Sequence, residues 1–401
     1  MVVNKVIAST YVAPKGRMID KFIYKLDASD EVIATSDIHI VVTNKQVDFK
    51  TKEAVISVLE PKIKSITRDN GELIIDIDHI PFDIITEIKI VDDKNRLNSI
   101  WCERDCFGLN QNSEKEQITV STLYADEFEK NIFTDSKGTQ ITYWLYTPKE
   151  SVSTPKPLII WEHTGGEVLS LSFERANLVA NQGATTWLER QYDALVLSIQ
   201  YPENYSFGIS DISEELTLME AYNDAKYELI QTLINDGKVD ANRILITGAS
   251  SGGGGAIRFL MQYPDLFAGA LIVSAKDTVV PISKKYNLAY QIEDNAKLKL
   301  TQEQYQETYN KMQKTLSKYG SLIKVPIWFV QAENDQITTY YTVEMMEKIL
   351  RGMGAKNNKI TIYSDEAMET AGLKKVYHGA WEIVYQDKEM LDWLVSKHKK
   401  I

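Results

Sequence analysis

Ser250 lies in Gly248-Ala249-Ser250-Ser251-Gly252, directly after the apolar run 244–246 and directly before a stretch of helical periodicity. The spacing is G-x-S-x-G, and the context is what gives it chemical meaning. A strand that turns sharply into a helix lifts the serine hydroxyl out of the sheet, and glycines are needed where the two backbones pass too close for a Cβ. The chemistry expected of such a serine is nucleophilic attack on a carbonyl carbon. Ser251 is excluded from that role, because Ala249 would then stand in the first glycine position.

A serine nucleophile needs a base, and histidine is the side chain whose ordinary pKa suits proton transfer near neutrality. Of the five histidines, His39 and His79 belong to a β-rich N-terminal region and His398 to a basic tail, while His163 precedes Thr164-Gly165-Gly166 on a different loop. His378 remains, in Val376-Tyr377-His378-Gly379-Ala380-Trp381, between the last expected strand and the last expected helix. The acid that orients it should lie between the two in chain order, at the end of a strand. Asp335, at the end of Ile327-Trp328-Phe329-Val330-Gln331-Ala332-Glu333-Asn334-Asp335, is the choice, with Glu333 as the alternative.

Acyl transfer also requires donors aimed at the developing oxyanion, and backbone amides serve because they are oriented before the reaction begins. Two are expected here: the amide of Ser251, next after the nucleophile, and that of Gly165 in His163-Thr164-Gly165-Gly166-Glu167. Thr164, Trp187 and Tyr201 are candidates for the substrate pocket, as are Tyr205 and Phe207, with core packing the equal alternative for these aromatics.

The glycine-rich turn has a rival reading, since 247–252 is also similar to the cofactor loop of short-chain dehydrogenases. Such a loop should follow the first strand of its domain, whereas at least three expected strands precede this one. The Tyr-x-x-x-Lys pair those enzymes need downstream is missing; Tyr222 with Lys226 lies upstream. No cofactor and no metal site are therefore expected.

The elements that must position these residues follow from hydrophobic pattern. Residues 1–118 show period-two alternation broken by polar turns such as Asp69-Asn70-Gly71, which reads as an all-β, immunoglobulin-like sandwich. From 119 to 401 short apolar strands alternate with helical periodicity, the pattern of a mostly parallel sheet covered by helices. Strands are expected at 141–146, 158–161, 194–199, 243–247, 270–274, 327–330 and 359–363, and helices at 214–234, 251–262, 302–319, 342–351 and 381–397. The polar, Tyr-rich stretch at about 281–324 is expected to form a helical, lid-like excursion.

Composition removes several function classes. The chain has 401 residues, more than one core usually organises, with a net charge of −11. An acidic balance disfavours a nucleic-acid partner, and no apolar run approaches the ~20 residues of a spanning helix. The first residues, Met-Val-Val-Asn-Lys, lack the apolar core of a secretory leader, so the expectation is a cytoplasmic protein or a secreted one after leader removal. The two cysteines, Cys102 and Cys106, are expected to be free thiols.

At these motifs the sequence resembles α/β-hydrolase esterases over nearly all of the chain after about residue 120. It is most similar to the polyhydroxybutyrate depolymerase-like group, which includes predicted peptidases and esterases with an immunoglobulin-like N-terminal domain. The resemblance is carried by Gly183-Ala184-Thr185-Thr186-Trp187, Ser198-Ile199-Gln200-Tyr201-Pro202, Val239-Asp240-Ala241-Asn242-Arg243-Ile244, Tyr263-Pro264-Asp265-Leu266-Phe267-Ala268 and His378-Gly379-Ala380-Trp381. It implies an α/β-hydrolase fold behind a β-sandwich and cofactor-free hydrolysis of an ester. Four positions depart from the group: Thr164 and Ser251, where glycine and methionine are usual, and Gln331-Ala332, where His-Gly is usual.

The reading reached is a carboxylesterase that works through an acyl-enzyme on Ser250, His378 and Asp335 and acts on a small-molecule or polymeric ester. A serine peptidase or acylaminopeptidase is the alternative with the same triad. A catalytically inactive binding protein is the alternative of another class.

Overall fold

The computed structural model describes residues 3–26, 33–47, 51, 53–94, 99–102, 118–149, 154–168, 174–201, 212–286, 299–374 and 377–399. Cys106, Tyr205, Phe207 and residues 287–298 of the lid-like stretch lie outside them. The chain divides into two compact units, Met1–Glu127 and Phe128–Ile401.

In the first unit, alternating apolar positions produce two sheets. One has the order β5(Ile63–Asp69), β6(Glu72–Pro81), β2(Gly16–Leu26), β1(Val3–Ala13), β9(Ile118–Thr122); the other has β4(Ala54–Leu59), β3(Ile38–Val47), β7(Ile85–Asp92), β8(Ser99–Cys102). Burial in β6 follows the pleat, with Leu73, Ile75 and Ile77 inside and their neighbours half-buried. Val6, Phe22 and Tyr24 from the first sheet share one core with Ile40, Val42, Ile88 and Ile90 from the second. Among the described residues these pairings are antiparallel except that of β9, which runs parallel to β1.

The second unit is built on an eight-stranded sheet. Its order is β10(Glu129–Thr134), β11(Gln140–Tyr146), β13(Leu195–Gln200), β12(Lys156–Glu162), β14(Val239–Ala249), β15(Gly269–Val273), β16(Ile327–Ala332), β17(Lys359–Tyr363). β10 and β11 pair antiparallel, and from β13 to β17 every pairing is parallel. β13, β15 and β16 are buried at every residue, as strands must be when helices cover both faces of the sheet. The unit is thus an α/β-hydrolase fold, a mixed and mostly parallel sheet with helices, following antiparallel sheets at the N-terminus.

Two of the differences from the expectation have a plain physical reason. β10 was not anticipated; its burial alternates between half-buried and exposed, which gives it too weak an apolar signal. The single helix expected at 381–397 is two helices, Trp381–Val384 and Lys388–Val395. Asp387 restarts the chain by accepting from the amides of Glu389 (2.8 Å) and Met390 (3.3 Å), an N-cap that interrupts one apolar period without changing its phase much. Among the described residues no helix is long and apolar enough to cross a membrane.

Candidate active site

β14 ends at Ala249, and the helix Ser251–Gln262 begins two residues later, leaving Ser250 at φ 55°, ψ −118°. A non-glycine residue at positive φ is strained, and the surroundings hold it there. The Ser250 amide donates to Val273 O (3.0 Å) on β15, while its carbonyl accepts from Gly254 N and Lys276 N, each at 3.0 Å. Glycine is required on both sides. A Cβ at Gly248 would lie 2.6 Å from Gly252 O, and one at Gly252 would lie 2.0 Å from Glu162 O and 2.4 Å from His163 O. The first turn of the helix therefore presses on the backbone at the end of β12.

Asp335 sits in the turn after β16 and His378 in the short 3-10 segment Tyr377–Gly379 after β17. His378 Nε2 is 2.8 Å from Ser250 Oγ, and His378 Nδ1 is 2.8 Å from Asp335 Oδ2 and 3.0 Å from Oδ1. Facing a carboxylate, Nδ1 carries the ring proton, which leaves Nε2 to accept from the serine hydroxyl. The Asp335 side chain has no exposed surface and is held from three directions. Oδ1 accepts from the amides of Ile337 (2.8 Å) and Thr338 (2.9 Å), and Oδ2 from Gln331 Nε2 (2.8 Å). The His378 ring meets Trp381 edge-on, with centroids 5.1 Å apart. Asp335, expected as the acid with Glu333 as the alternative, is the carboxylate placed within hydrogen-bonding distance of His378 Nδ1.

The loop after β12 is built on buried polar groups. His163 Nε2 accepts from Tyr201 N (3.0 Å), so Nδ1 is the protonated nitrogen and donates to Thr164 O (2.7 Å). Glu167 Oε1 accepts from Thr164 Oγ1 (3.1 Å) and Asn181 Nδ2 (3.2 Å), and Gln200 Nε2 donates to Glu167 O (2.7 Å). Gly165 opens the 3-10 turn Gly165–Glu167 at the rim of this network.

The expected pocket residues fall in different settings. Thr164 and Tyr201 belong to the network just described, with the Tyr201 ring 4.8 Å from that of His163. Trp187 is fully buried, its Nε1 donating to Gly183 O (2.9 Å) and its ring against Tyr192. These contacts are those of a core residue.

Three features went unread in the sequence. Gln331 is one, a donor to the acid four residues ahead of it. Asp277 is another: partly buried, it accepts from Thr342 Oγ1 (2.5 Å), Ser283 N (2.7 Å) and Ser283 Oγ (3.2 Å). Desolvation above all, with the nearby charge of Asp335 adding to it, lifts its carboxyl to about 6 against those stabilising bonds. The third is an ion pair with no exposed surface on either side chain, Lys226 Nζ to Glu162 Oε1 at 2.7 Å. Its signal was present: Met219, Lys226, Ile230 and Leu233 share one buried helix face at spacings of three, four and seven.

Residues 220–400 match the model described as the Prolyl oligopeptidase family, Peptidase_S9, and in this part the chain is similar to S9 serine hydrolases. Among solved structures, a thermostable esterase aligns with TM-score 0.69 at 18% identity, over 99% of this chain and 100% of that one. An acylaminoacyl peptidase aligns at TM-score 0.47 and 14% identity, over 96% of this chain and 62% of its own. An esterase of Pyrobaculum calidifontis aligns at TM-score 0.43 and 17% identity, over 68% of this chain and 84% of its own. A search among curated proteins gives no match. Fold and match together are similar to one class, the serine hydrolases of the α/β-hydrolase fold. The matching family is named for oligopeptidases and not for the depolymerase-like esterases that the motifs resemble; the two readings share this coarser class.

Proposed function

We propose that the protein is a carboxylesterase that forms an acyl-enzyme on Ser250. The observation that carries the reading is the 2.8 Å approach of Ser250 Oγ to His378 Nε2 at a strained strand-to-helix turn. In the proposed reaction Ser250 Oγ attacks the ester carbonyl as Nε2 takes its proton, and Asp335 stabilises the imidazolium that forms. The tetrahedral intermediate collapses with proton transfer from His378 to the leaving alkoxide. Water, activated by the same nitrogen, then releases the acid. Ser251 N and Gly165 N are the proposed oxyanion donors, supported by the contact between Gly252 and the carbonyls of Glu162 and His163, which brings the Thr164–Gly165 turn beside the serine. Thr164 and Tyr201 are proposed to border the acyl site, while Trp187 supports it from the core. Residues 1–118 are proposed as a structural or positioning module without chemistry of its own, and 119–401 as the catalytic domain.

The full-length alignment with a solved esterase favours an ester substrate. The S9 match favours the second reading, a serine peptidase, for which the same steps apply once the leaving amine is bound and protonated. Initial rates on p-nitrophenyl esters of increasing acyl length, against matched p-nitroanilides, separate the two. Ser250→Ala should lose about a thousandfold or more of either activity. A parent without any rate above buffer, or a mutant equal to it, would remove the hydrolase reading and leave a binding protein.

A further inference from the structure

The helix Ile212–Asn235 buries Lys226 against the end of β12. Both members of the Lys226–Glu162 pair have zero side-chain exposure, an arrangement that carries a heavy desolvation cost for each ion and is often no more stabilising than apolar residues of the same volume. Burial is the leading cause of the lowered Lys226 pKa, and it outweighs the Glu162 charge that acts in the opposite sense. Stability alone therefore gives a poor reason for the pair. Its position gives a better one.

Glu162 is the last residue of β12 and touches the serine turn twice. Its Cβ is 2.9 Å from where a Gly248 Cβ would stand, and its carbonyl 2.0 Å from where a Gly252 Cβ would stand. Lys226 Nζ is 4.2 Å from the centre of the Phe259 ring, on the helix that starts at the serine, and 5.4 Å from that of Tyr201. Tyr201 in turn gives its amide proton to His163, which holds Thr164 O. One buried cation thus touches the helix after Ser250, through Phe259, and the two residues that flank the loop after β12: Glu162, from which the loop leaves the strand, and Tyr201, which bonds its His163.

We propose that Glu162 and Lys226 are positioning residues that fix the Thr164–Gly166 loop relative to the Ser250 turn and so set the oxyanion geometry. The inference rests on the hydrolase reading above. A displacement of about 1 Å in such a site can cost around a hundredfold in rate, so the effect belongs in kcat.

The test is Glu162→Met combined with Lys226→Met, which removes both charges, keeps the volume and leaves no unpaired ion. The double variant should melt no lower than the parent. It should lose about ten- to a hundredfold in kcat, with KM within about twofold and an unchanged acidic limb in the pH profile, because His378 and Asp335 are untouched. Glu162→Asp, which keeps the charge on a shorter stem, should recover part of kcat relative to the double variant. A stable double variant with the parent's kcat overturns the positioning role alone. A drop in melting temperature that accounts for the lost activity through less folded enzyme, with kcat per active site as in the parent, overturns it as well. A parent without Ser250-dependent turnover removes the hydrolase reading, and the positioning role with it.

Discussion

His378 and Asp335 meet over 2.8 Å although they lie 43 positions apart, and beside that contact the aspartate carboxylate accepts from three donors in one short segment, 331–338. The acid is thus held by its own segment as well as by the histidine.

Asp335→Asn should lower kcat by about 10⁴-fold. An asparagine can present its NH₂ to the ring, which would favour the tautomer with the proton on Nε2 and remove the acceptor that Ser250 needs. Turnover measured from pH 6 to 9, with folding checked by circular dichroism, tests this; a loss below tenfold would point to another acid.

Gln331→Leu removes the side-chain donor to Asp335 Oδ2 and leaves the two backbone donors in place. Hydrogen bonds to charged groups contribute about 1.5–3 kcal/mol, so unfolding in urea should show a loss of that order. kcat should fall about tenfold with KM unchanged, since one of three supports is gone.

Asp277 sets a pH dependence of stability. Its folded pKa, about 6, lies above the ordinary 3.8, so the folded state binds this proton more tightly than the unfolded chain does. The stabilisation is full below 3.8 and is lost as pH rises through about 6. Asp277→Asn has no such proton to lose. The melting temperature of the parent minus that of the variant should therefore fall between pH 4.5 and 7.5; a difference that stays constant, or that rises, contradicts the assignment.

Gly252→Ala and Gly166→Ala make a paired test of the backbone contact beside the serine. At Gly252 the new methyl would overlap two carbonyl oxygens, at 2.0 and 2.4 Å, whereas at Gly166 the nearest atom is Thr164 Oγ1 at 4.0 Å. The first should cost about 3 kcal/mol or more or fail to fold. The second should stay within about 0.5 kcal/mol. Thermal melts of the two side by side decide it.

Pattern in the chain reports what is local: which stretches are buried, how they repeat, and where a backbone must turn. That was enough to place Ser250 between a strand and a helix, to put an acid and a histidine after later strands in the order serine, aspartate, histidine, and to separate a β-rich region from a helix-covered sheet. The break at Asp387 escaped it because two short helices in phase carry the same apolar repeat as one long helix. β10 escaped it because an edge strand half-open to solvent needs little apolar surface. What only the tertiary structure decided are the partnerships: Glu162 with Lys226 across 64 positions, His163 with the amide of Tyr201 across 38, and Asp277 with Thr342 across 65. Hydrogen bonds and ion pairs act over about 3 Å, and the sequence holds no measure of that distance until the sheet has set which strand ends lie side by side.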